Sequence, residues 1–278
     1  MIQEIEPKHY DPAFRLQQPK DGDFVLHYEY NKVMLRRDGD RLVFPTVADL
    51  VDEVEDLAEN AEYLFSIDEQ AYFMVQKMSV PEFGGYFMEA LTVFRDFSPL
   101  DQAFAGITGS QIYRWRESRA FCGRCGTKMQ PSTKERAQVC PKCGQTEYPK
   151  ICPAVIVAIT NKDKLLMSRY AHGAYKNYAL IAGYLEIGET FEDCVRREVM
   201  EEVGLKVKNI RYYKSQPWAF SDTVMIGFTA ELDGDDTIRL QEDELAEAAW
   251  YTRDEVIDYS PCLSVGHEMM AAFKAGKF

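Results

Sequence analysis

The sequence contains no long apolar segment. Its longest apolar run, residues 154–159, has the length of a strand and falls well short of the roughly 18 residues typical of a membrane-spanning helix. Residues 1–7 are polar and acidic, without the apolar core of a secretory signal. We therefore expect a cytoplasmic protein without membrane contacts. No internal repeat or low-complexity tract is visible.

Positive charge is also scarce. The chain has 32 Lys and Arg against 45 Asp and Glu, which gives a formal net charge of −13. An acidic chain repels nucleic-acid backbones at long range, so DNA is not an expected partner. Residues 114–150 differ, because they contain nine Lys and Arg but three Glu. This basic segment is either a linker that balances acidic neighbours or a local attraction for an anionic ligand.

A disulfide framework is not expected, because the seven cysteines are odd in number and no secretory signal precedes them. Four of them form two C-x2-C pairs separated by fourteen residues, and three are scattered. The patterned residues are Cys122, Cys125, Cys140 and Cys143. This spacing predicts one tetrahedral Zn²⁺, and because protein fills all four positions the zinc should be structural. The scattered residues Cys152, Cys194 and Cys262 are expected to be small buried side chains.

The chain divides into three predicted regions: an N-terminal α+β domain over 1–120, a four-cysteine ribbon over 121–149 and a second main domain over 150–278. The first region has strand patterns at 24–30, 33–36, 41–44, 61–67 and 70–75, and a helix at about 99–120. The pair Asp38-Gly39 predicts a hairpin between the second and third of these strands. The last region has strand patterns at 154–159, 165–169, 178–181, 224–230 and 248–251, a helix at about 191–203 and a final helix ending near 274. The first region shows no catalytic constellation, and its role stays open.

The predicted helix at 191–203, for which Thr190 is the expected N-cap and Gly204 the expected residue at its end, carries an unusual set of carboxylates. Glu198, Glu201 and Glu202 fall within about a 100° arc of one helix face. Three like charges there repel one another, and a hard cation with oxygen ligands removes the conflict. Mg²⁺ or Mn²⁺ held in this way would neutralise a pyrophosphate and activate water, with one carboxylate as base. The alternative is a solvated acidic helix.

The spacing of the surrounding residues favours the metal site. From Gly183 to Leu205 the sequence reads G-x5-E-x7-R-E-V-x-E-E-x-G-L, which resembles the Nudix box. The resemblance implies a Nudix fold, an α/β/α sandwich with a mixed sheet, in which Gly183 begins a tight loop. It also implies catalytic Mg²⁺ or Mn²⁺. By position, Glu198 and Glu202 resemble metal ligands, and Glu201 resembles a ligand or the base.

Three other positions belong to the same implied site. The Ala182 carbonyl resembles a further metal ligand, Glu189 reaches back toward the metal, and Arg197 orients a carboxylate through a bidentate pair. Downstream, Glu244 resembles an additional metal-binding glutamate, for which Glu242 and Glu247 are rivals.

The ribbon and a segment downstream of the box indicate which family of Nudix enzymes the chain resembles. A four-cysteine ribbon directly before a Nudix box is similar to the bacterial NADH pyrophosphatase family, whose downstream signature is usually SQPWPFPxS. The corresponding residues here, called the signature segment below, are Ser215, Gln216, Pro217, Trp218, Ala219, Phe220, Ser221, Asp222 and Thr223. Ala219, Ser221 and Thr223 depart from that signature. The resemblance implies that this segment binds substrate, with aromatic faces for a base. Tyr148 and Glu135 fall where family members contact the nucleotide.

The resemblance implies a homodimer that hydrolyses NADH or NAD⁺ to nicotinamide mononucleotide and AMP, and that removes NAD caps from RNA. Two alternatives stay open. One keeps the chemistry and changes the substrate to ADP-ribose, FAD or a dinucleoside polyphosphate, because the signature is altered. The other is a nucleotide- or RNA-binding regulator without turnover, although a pure binder has no need of a repulsive carboxylate cluster.

Overall fold

The structure is a computed structural model that describes residues 1–80, 84–173, 177–241, 243–259 and 261–278. The chain forms two compact units. One unit contains Met1, Ile151–Trp218 and Asp222–Phe278, and is called the C-terminal unit below. The other contains Ile2–Lys150 and Ala219–Ser221, and is called the N-terminal unit. Residues 219–221 therefore pack with the N-terminal unit although they lie between two strands of the C-terminal unit.

The N-terminal unit contains two four-stranded sheets. One has the order β1-β6-β7-β2, and in the other β3-β4-β5 are neighbours and β8 pairs with β4. The elements are β1 Tyr10–Asp11, β2 Phe24–Leu26, β3 Tyr28–Glu29, β4 Lys32–Asp38, β5 Arg41–Val43, α1 Val47–Leu50, α2 Leu57–Asn60, β6 Ala61–Ile67, β7 Gln70–Val75, β8 Tyr86–Ala90, a 3-10 helix Leu91–Arg95 and α3 Leu100–Ser118.

Several predictions in this unit are confirmed. The pair Asp38-Gly39 forms the hairpin between β4 and β5, with Asp38 opposite Arg41 and Gly39 at φ +60°. Strands β6 and β7 pair antiparallel over the predicted residues. The predicted helix over about 99–120 is α3, which buries Ala105, Ile107 and other residues against the sheets.

The predicted single strand over 24–30 is wrong. It is broken at His27, because β2 pairs parallel with β7 whereas β3 pairs antiparallel with β4 in the other sheet. His27 is buried where the chain changes sheets, and its Nδ1 lies 2.8 Å from the Val75 carbonyl oxygen. Local pattern alone does not show that one apolar run serves two sheets.

The ribbon belongs to the N-terminal unit. Its strands β9 Gln130–Pro131, β10 Gln138–Val139 and β11 Thr146–Glu147 form a small antiparallel sheet. The buried Arg116 of α3 donates to the Ala137 carbonyl of the ribbon at 3.3 Å and also pairs with Glu62 of β6. The division into 1–120 and 121–149 as separate domains stays a prediction.

The C-terminal unit contains a mixed six-stranded sheet of order β15-β16-β12-β13-β17, in which β14 also pairs with β12. Strands β12 and β16 are parallel and the other pairs are antiparallel. The elements are β12 Cys152–Asn161, β13 Lys164–Tyr170, β14 Ile181–Tyr184, α4 Phe191–Val203, β15 Val207–Trp218, β16 Thr223–Leu232, β17 Leu245–Thr252 and α5 Val265–Lys274.

The two helices cover opposite faces of this sheet. Val155 and Val157 of β12 pack with α4, whereas Ala158 packs with α5. This arrangement is the predicted α/β/α sandwich with a mixed sheet. The strand predicted at 178–181 is displaced, because β14 begins at Ile181 and Ala179 makes an isolated bridge to Ser168.

In the described part of the chain, no helix has both the length and the apolar character needed to cross a membrane.

Candidate metal and pyrophosphate site

Helix α4 carries the carboxylates, and both of its ends are well defined. The Thr190 hydroxyl accepts a hydrogen bond from the Asp193 N–H at 3.2 Å, which caps the first turn. Gly204 ends the helix at φ +69°, and its N–H donates to the Met200 carbonyl at 3.1 Å. These caps fix which residues face the sheet and which face away.

Glu202 lies at the buried edge of this helix and is 3% exposed. Burial raises the pKa of Glu202 to about 8, and the negative charges of Glu198, Glu244 and Glu201 act in the same direction. A hydrogen bond from the Ala182 backbone opposes the increase in pKa without cancelling it. A buried carboxyl surrounded by three other carboxylates is a poor structural element and a suitable cation ligand.

Arg197 connects most of the other predicted residues. Its guanidinium donates to Glu189 through two nitrogens, at 2.8 and 2.9 Å, which is the bidentate geometry. It also donates to Glu198 at 2.7 Å and to Glu201 at 3.0 Å. Hydrogen bonding to Arg197 lowers the pKa of Glu189 to about 2, so this carboxylate is ionised at neutral pH. Glu189 therefore fixes the arginine.

Gly183 differs from the prediction. It does not begin a loop but lies inside β14, opposite Val155 of β12. A Cβ atom on Gly183 would overlap the carboxyl group of Glu198. The glycine is therefore needed because the Glu198 side chain lies directly against the strand backbone at this point.

The structure distinguishes between the downstream glutamates. Glu244 raises the pKa of both Glu198 and Glu202, so its carboxylate lies within electrostatic range of both. Glu247 is instead engaged by the Tyr251 hydroxyl at 2.9 Å, with Arg169 at 3.9 Å. Glu242 lies outside the described residues.

The carboxylates face one another without converging to coordination distance. Within the described ranges, the cysteine quartet is the one set of three or more His, Cys, Asp or Glu ligand atoms lying within 4.8 Å of one another. Arg197 forms ion pairs with Glu198 and Glu201.

Cys194, within the same helix, has its pKa raised to about 12, mainly by burial, so it is not a ready nucleophile.

The four ribbon cysteines form a zinc site. Sulfur atoms of a tetrahedral zinc centre with bonds of about 2.3 Å lie about 3.8 Å apart. The Sγ atoms of Cys125 and Cys140 are 3.5 Å apart, and those of Cys122 and Cys143 are 3.6 Å apart. In each half the first cysteine carbonyl accepts from a glycine N–H four residues later, at 2.9 and 3.0 Å. The four thiols thus fit a structural zinc.

The signature segment is divided between two environments. Ser215 and Pro217 are exposed on β15, and their partners Ile226 and Val224 belong to the core under α4. Gln216 points to the opposite face and is 1% exposed. Its amide donates to the Leu263 carbonyl at 3.1 Å and accepts from the Val265 N–H at 2.7 Å. Gln216 therefore holds the start of α5.

The following residues of the signature pack in the N-terminal unit. The Ala219 carbonyl accepts a hydrogen bond from Arg114 of α3, and the guanidinium of Arg95 lies 4.5 Å from the centre of the Phe220 ring. Ser221 is exposed, whereas Asp222 belongs to the C-terminal unit. The backbone carbonyl of Asp222 accepts a hydrogen bond from the Cys152 N–H at 2.8 Å. Neither arginine lies in a motif: the sequence includes Arg114 only as part of the basic segment 114–150 and gives no signal for Arg95.

Tyr148 and Glu135 lie together in the ribbon. The Tyr148 hydroxyl donates to the Glu135 carboxylate at 3.1 Å, and both residues are exposed. They are thirteen residues apart in sequence, so their contact depends on the ribbon fold.

Comparison with known proteins supports these assignments. Residues 118–148 match the NADH pyrophosphatase zinc ribbon domain and residues 150–270 match the NUDIX domain. A protein from Chromobacterium violaceum named NAD-capped RNA hydrolase NudC is 41% identical over 172 residues, which are 62% of this chain and 64% of that protein. A protein of the same name from Haemophilus influenzae is 39% identical over 166 residues, which are 59% and 62% of the two chains.

Among solved structures, a NUDIX hydrolase from Nitrosomonas europaea aligns with a TM-score of 0.48 at 23% identity, over 55% of this chain and 90% of that one. The matches to both curated relatives cover less than two thirds of their length. The two domain matches adjoin, and they include the cysteine quartet and the glutamate helix. The chain therefore carries a segment that matches the NUDIX domain, directly preceded by one that matches the NADH pyrophosphatase zinc ribbon domain.

Proposed function

We propose that the chain hydrolyses the pyrophosphate bond of NADH or NAD⁺ in a divalent-metal-dependent reaction. The products are AMP and nicotinamide mononucleotide, which is reduced when the substrate is NADH. The buried carboxyl of Glu202 carries this proposal. Its pKa is raised to about 8 by burial and by neighbouring carboxylates, which is a cost to folding that a bound cation offsets.

The cation site would use oxygen ligands from strand β14, helix α4 and the turn directly before β17. The proposed ligands are the Ala182 carbonyl and the carboxylates of Glu198, Glu202 and Glu244. Mg²⁺ or Mn²⁺ there would neutralise charge on the pyrophosphate and activate a water molecule. Glu201, whose side chain is 53% exposed, would accept the proton of that water. Arg197, fixed by Glu189, orients Glu198 and Glu201.

The signature segment and the ribbon support a dinucleotide substrate. We assign the substrate contacts to Ser215, Pro217, Trp218, Ala219, Phe220, Ser221 and Asp222, with Tyr148 and Glu135 from the ribbon. Gln216 is instead expected to support the segment without touching substrate, because its amide is hydrogen-bonded to the backbone of Leu263 and Val265. Trp218 is partly exposed and offers an aromatic surface to a base.

Further aspects of the proposal follow from the relatives. Both are named for action on NAD-capped RNA. The basic segment 114–150 would attract an RNA chain that follows the cap, although the whole protein is acidic. We also propose a cytoplasmic homodimer.

Product analysis tests the proposal. The protein is incubated with NADH, NAD⁺, ADP-ribose and FAD, with and without Mn²⁺, and the products are separated by chromatography. AMP and reduced nicotinamide mononucleotide should appear with metal present, fastest from NADH, and Glu202→Gln should remove this activity. Unchanged NADH hydrolysis by Glu202→Gln would contradict the mechanism.

Other outcomes would favour the alternatives. Because Ala219, Ser221 and Thr223 alter the signature, the second candidate is a hydrolase of ADP-ribose, FAD or dinucleoside polyphosphates. Faster turnover of these than of NADH would select it. Tight nucleotide binding without turnover, including that of NAD-capped RNA, would select a non-catalytic regulator.

A further inference from the structure

Two arginines outside the sequence motifs contact the signature segment. The Arg95 guanidinium, at the end of the 3-10 helix, lies 4.5 Å from the Phe220 ring centre. Arg114, in α3, donates to the Ala219 carbonyl and to the Ser110 hydroxyl, the latter at 3.0 Å. Both arginines and residues 219–221 belong to the N-terminal unit.

These contacts lie directly after Trp218. Two residues before Trp218, the amide of Gln216 is fixed by the backbone at the start of α5. One residue after it, Ala219 is 5% exposed and its carbonyl is bonded to Arg114. The backbone of Trp218 thus lies between two restrained positions, and the downstream restraint comes from a residue that precedes the ribbon.

Chain composition makes this support necessary. The segment 219–223 lacks prolines that would restrict its backbone, so without external contacts it would sample more conformations. A guanidinium over an aromatic face and a charged hydrogen bond to a carbonyl supply the restraint instead.

We propose that Arg95 and Arg114 are positioning residues that set the conformation of Trp218 and Phe220 for substrate binding. Arg95 and Arg114 thereby contribute to substrate affinity through the signature segment. This inference rests on the proposed function for its kinetic part, because it assumes that the segment binds the dinucleotide.

The test compares Arg95→Leu with Arg37→Leu. Arg37 is a matched control, because its guanidinium lies 5.7 Å from the ring centre of Phe87, which belongs to β8 of the same unit and not to the signature segment. We expect Arg95→Leu to raise KM for NADH roughly three- to tenfold with kcat within about twofold. Arg95→Lys should restore most of the affinity, since a cation again covers the ring. Arg37→Leu should leave both constants unchanged.

A second readout does not depend on turnover. The indole N–H signal of Trp218, assigned by its loss in Trp218→Phe, should shift in Arg95→Leu and not in Arg37→Leu. An unshifted signal with unchanged KM would overturn the proposal, as would a uniform loss of kcat and stability that lysine does not restore. If the wild type leaves NADH intact, the proposed function fails, and the indole signal alone decides the positioning role.

Discussion

At the scale of single residues, the site depends on one missing side chain and one buried acid. Gly183 lies inside a strand, so its role does not depend on backbone freedom. It is needed because the absent side chain leaves space for the Glu198 carboxyl. Glu202 is buried beside that space and retains its proton to a higher pH than a solvated glutamate.

Gly183→Ala should reduce kcat about a hundredfold while leaving Tm nearly unchanged. The new Cβ displaces the flexible Glu198 carboxyl rather than the backbone, so the ligand moves while the fold stays. Steady-state kinetics and thermal denaturation measure the two effects. The double variant Gly183→Ala/Glu198→Ala should be no slower than Glu198→Ala alone. Additive losses would show that the alanine acts elsewhere.

The raised pKa of Glu202 leads us to expect pH-dependent metal binding. Since its folded-state pKa is about 8, the site is mostly protonated at pH 7 and a cation must displace the proton. The apparent Mn²⁺ affinity should therefore rise with pH up to about 8, by no more than about tenfold per pH unit, and then level off. Calorimetry in buffers of different ionisation enthalpy should detect proton release. Glu202→Gln should bind Mn²⁺ weakly and release no proton at this site, whereas equal release from both proteins would contradict the assignment.

At the scale of elements, the ends of α4 determine where its carboxylates face. The Thr190 cap fixes the first turn, and Gly204 reverses the chain into β15 in a left-handed conformation. The same residue approaches Arg239, whose Cβ would lie 2.9 Å from a Cβ added at position 204. A short helix with two fixed ends presents its glutamates in one orientation.

Gly204→Ala should lower the free energy of unfolding by about 1 kcal/mol or more, since alanine is strained at this φ and also meets Arg239. Chemical denaturation measures the change. Gly22→Ala provides the control, because a Cβ there meets nothing within 4 Å and its φ is not left-handed. Equal stability of the two variants would mean that the end of α4 tolerates a different geometry.

At the scale of the whole molecule, two kinds of metal site are expected to behave independently. The cysteine quartet offers four soft ligands within coordination distance of one another, whereas the glutamates offer hard oxygen ligands held apart by Arg197. We expect the first to hold a structural ion tightly and the second to exchange its ion with the solvent.

Purified protein should contain about one zinc ion per chain after dialysis that removes Mn²⁺. Cys140→Ala should lose the zinc and lower Tm, because the buried thiolate completes the tetrahedral set. Cys262→Ala, outside the quartet, should retain it. Elemental analysis together with thermal denaturation distinguishes the variants. Full zinc content in Cys140→Ala would show that the quartet is not the zinc site.

Much of this protein was determined by the sequence itself. The spacing of the cysteines and of the residues from Gly183 to Leu205 predicted the ribbon and the Nudix box, because both depend on short-range geometry. The helix bounds Phe191–Val203 followed from its capping residues. Local pattern likewise predicted the hairpin at Asp38-Gly39.

The tertiary structure decided what depends on distant contacts. It placed Gly183 in a strand, broke the first strand at His27 and committed the amide of Gln216 to α5. It also brought Arg95 to Phe220, which lies 125 positions later in the chain. No local pattern encodes such pairings, because they arise when separate elements pack and the burial of each residue is set by partners remote in sequence.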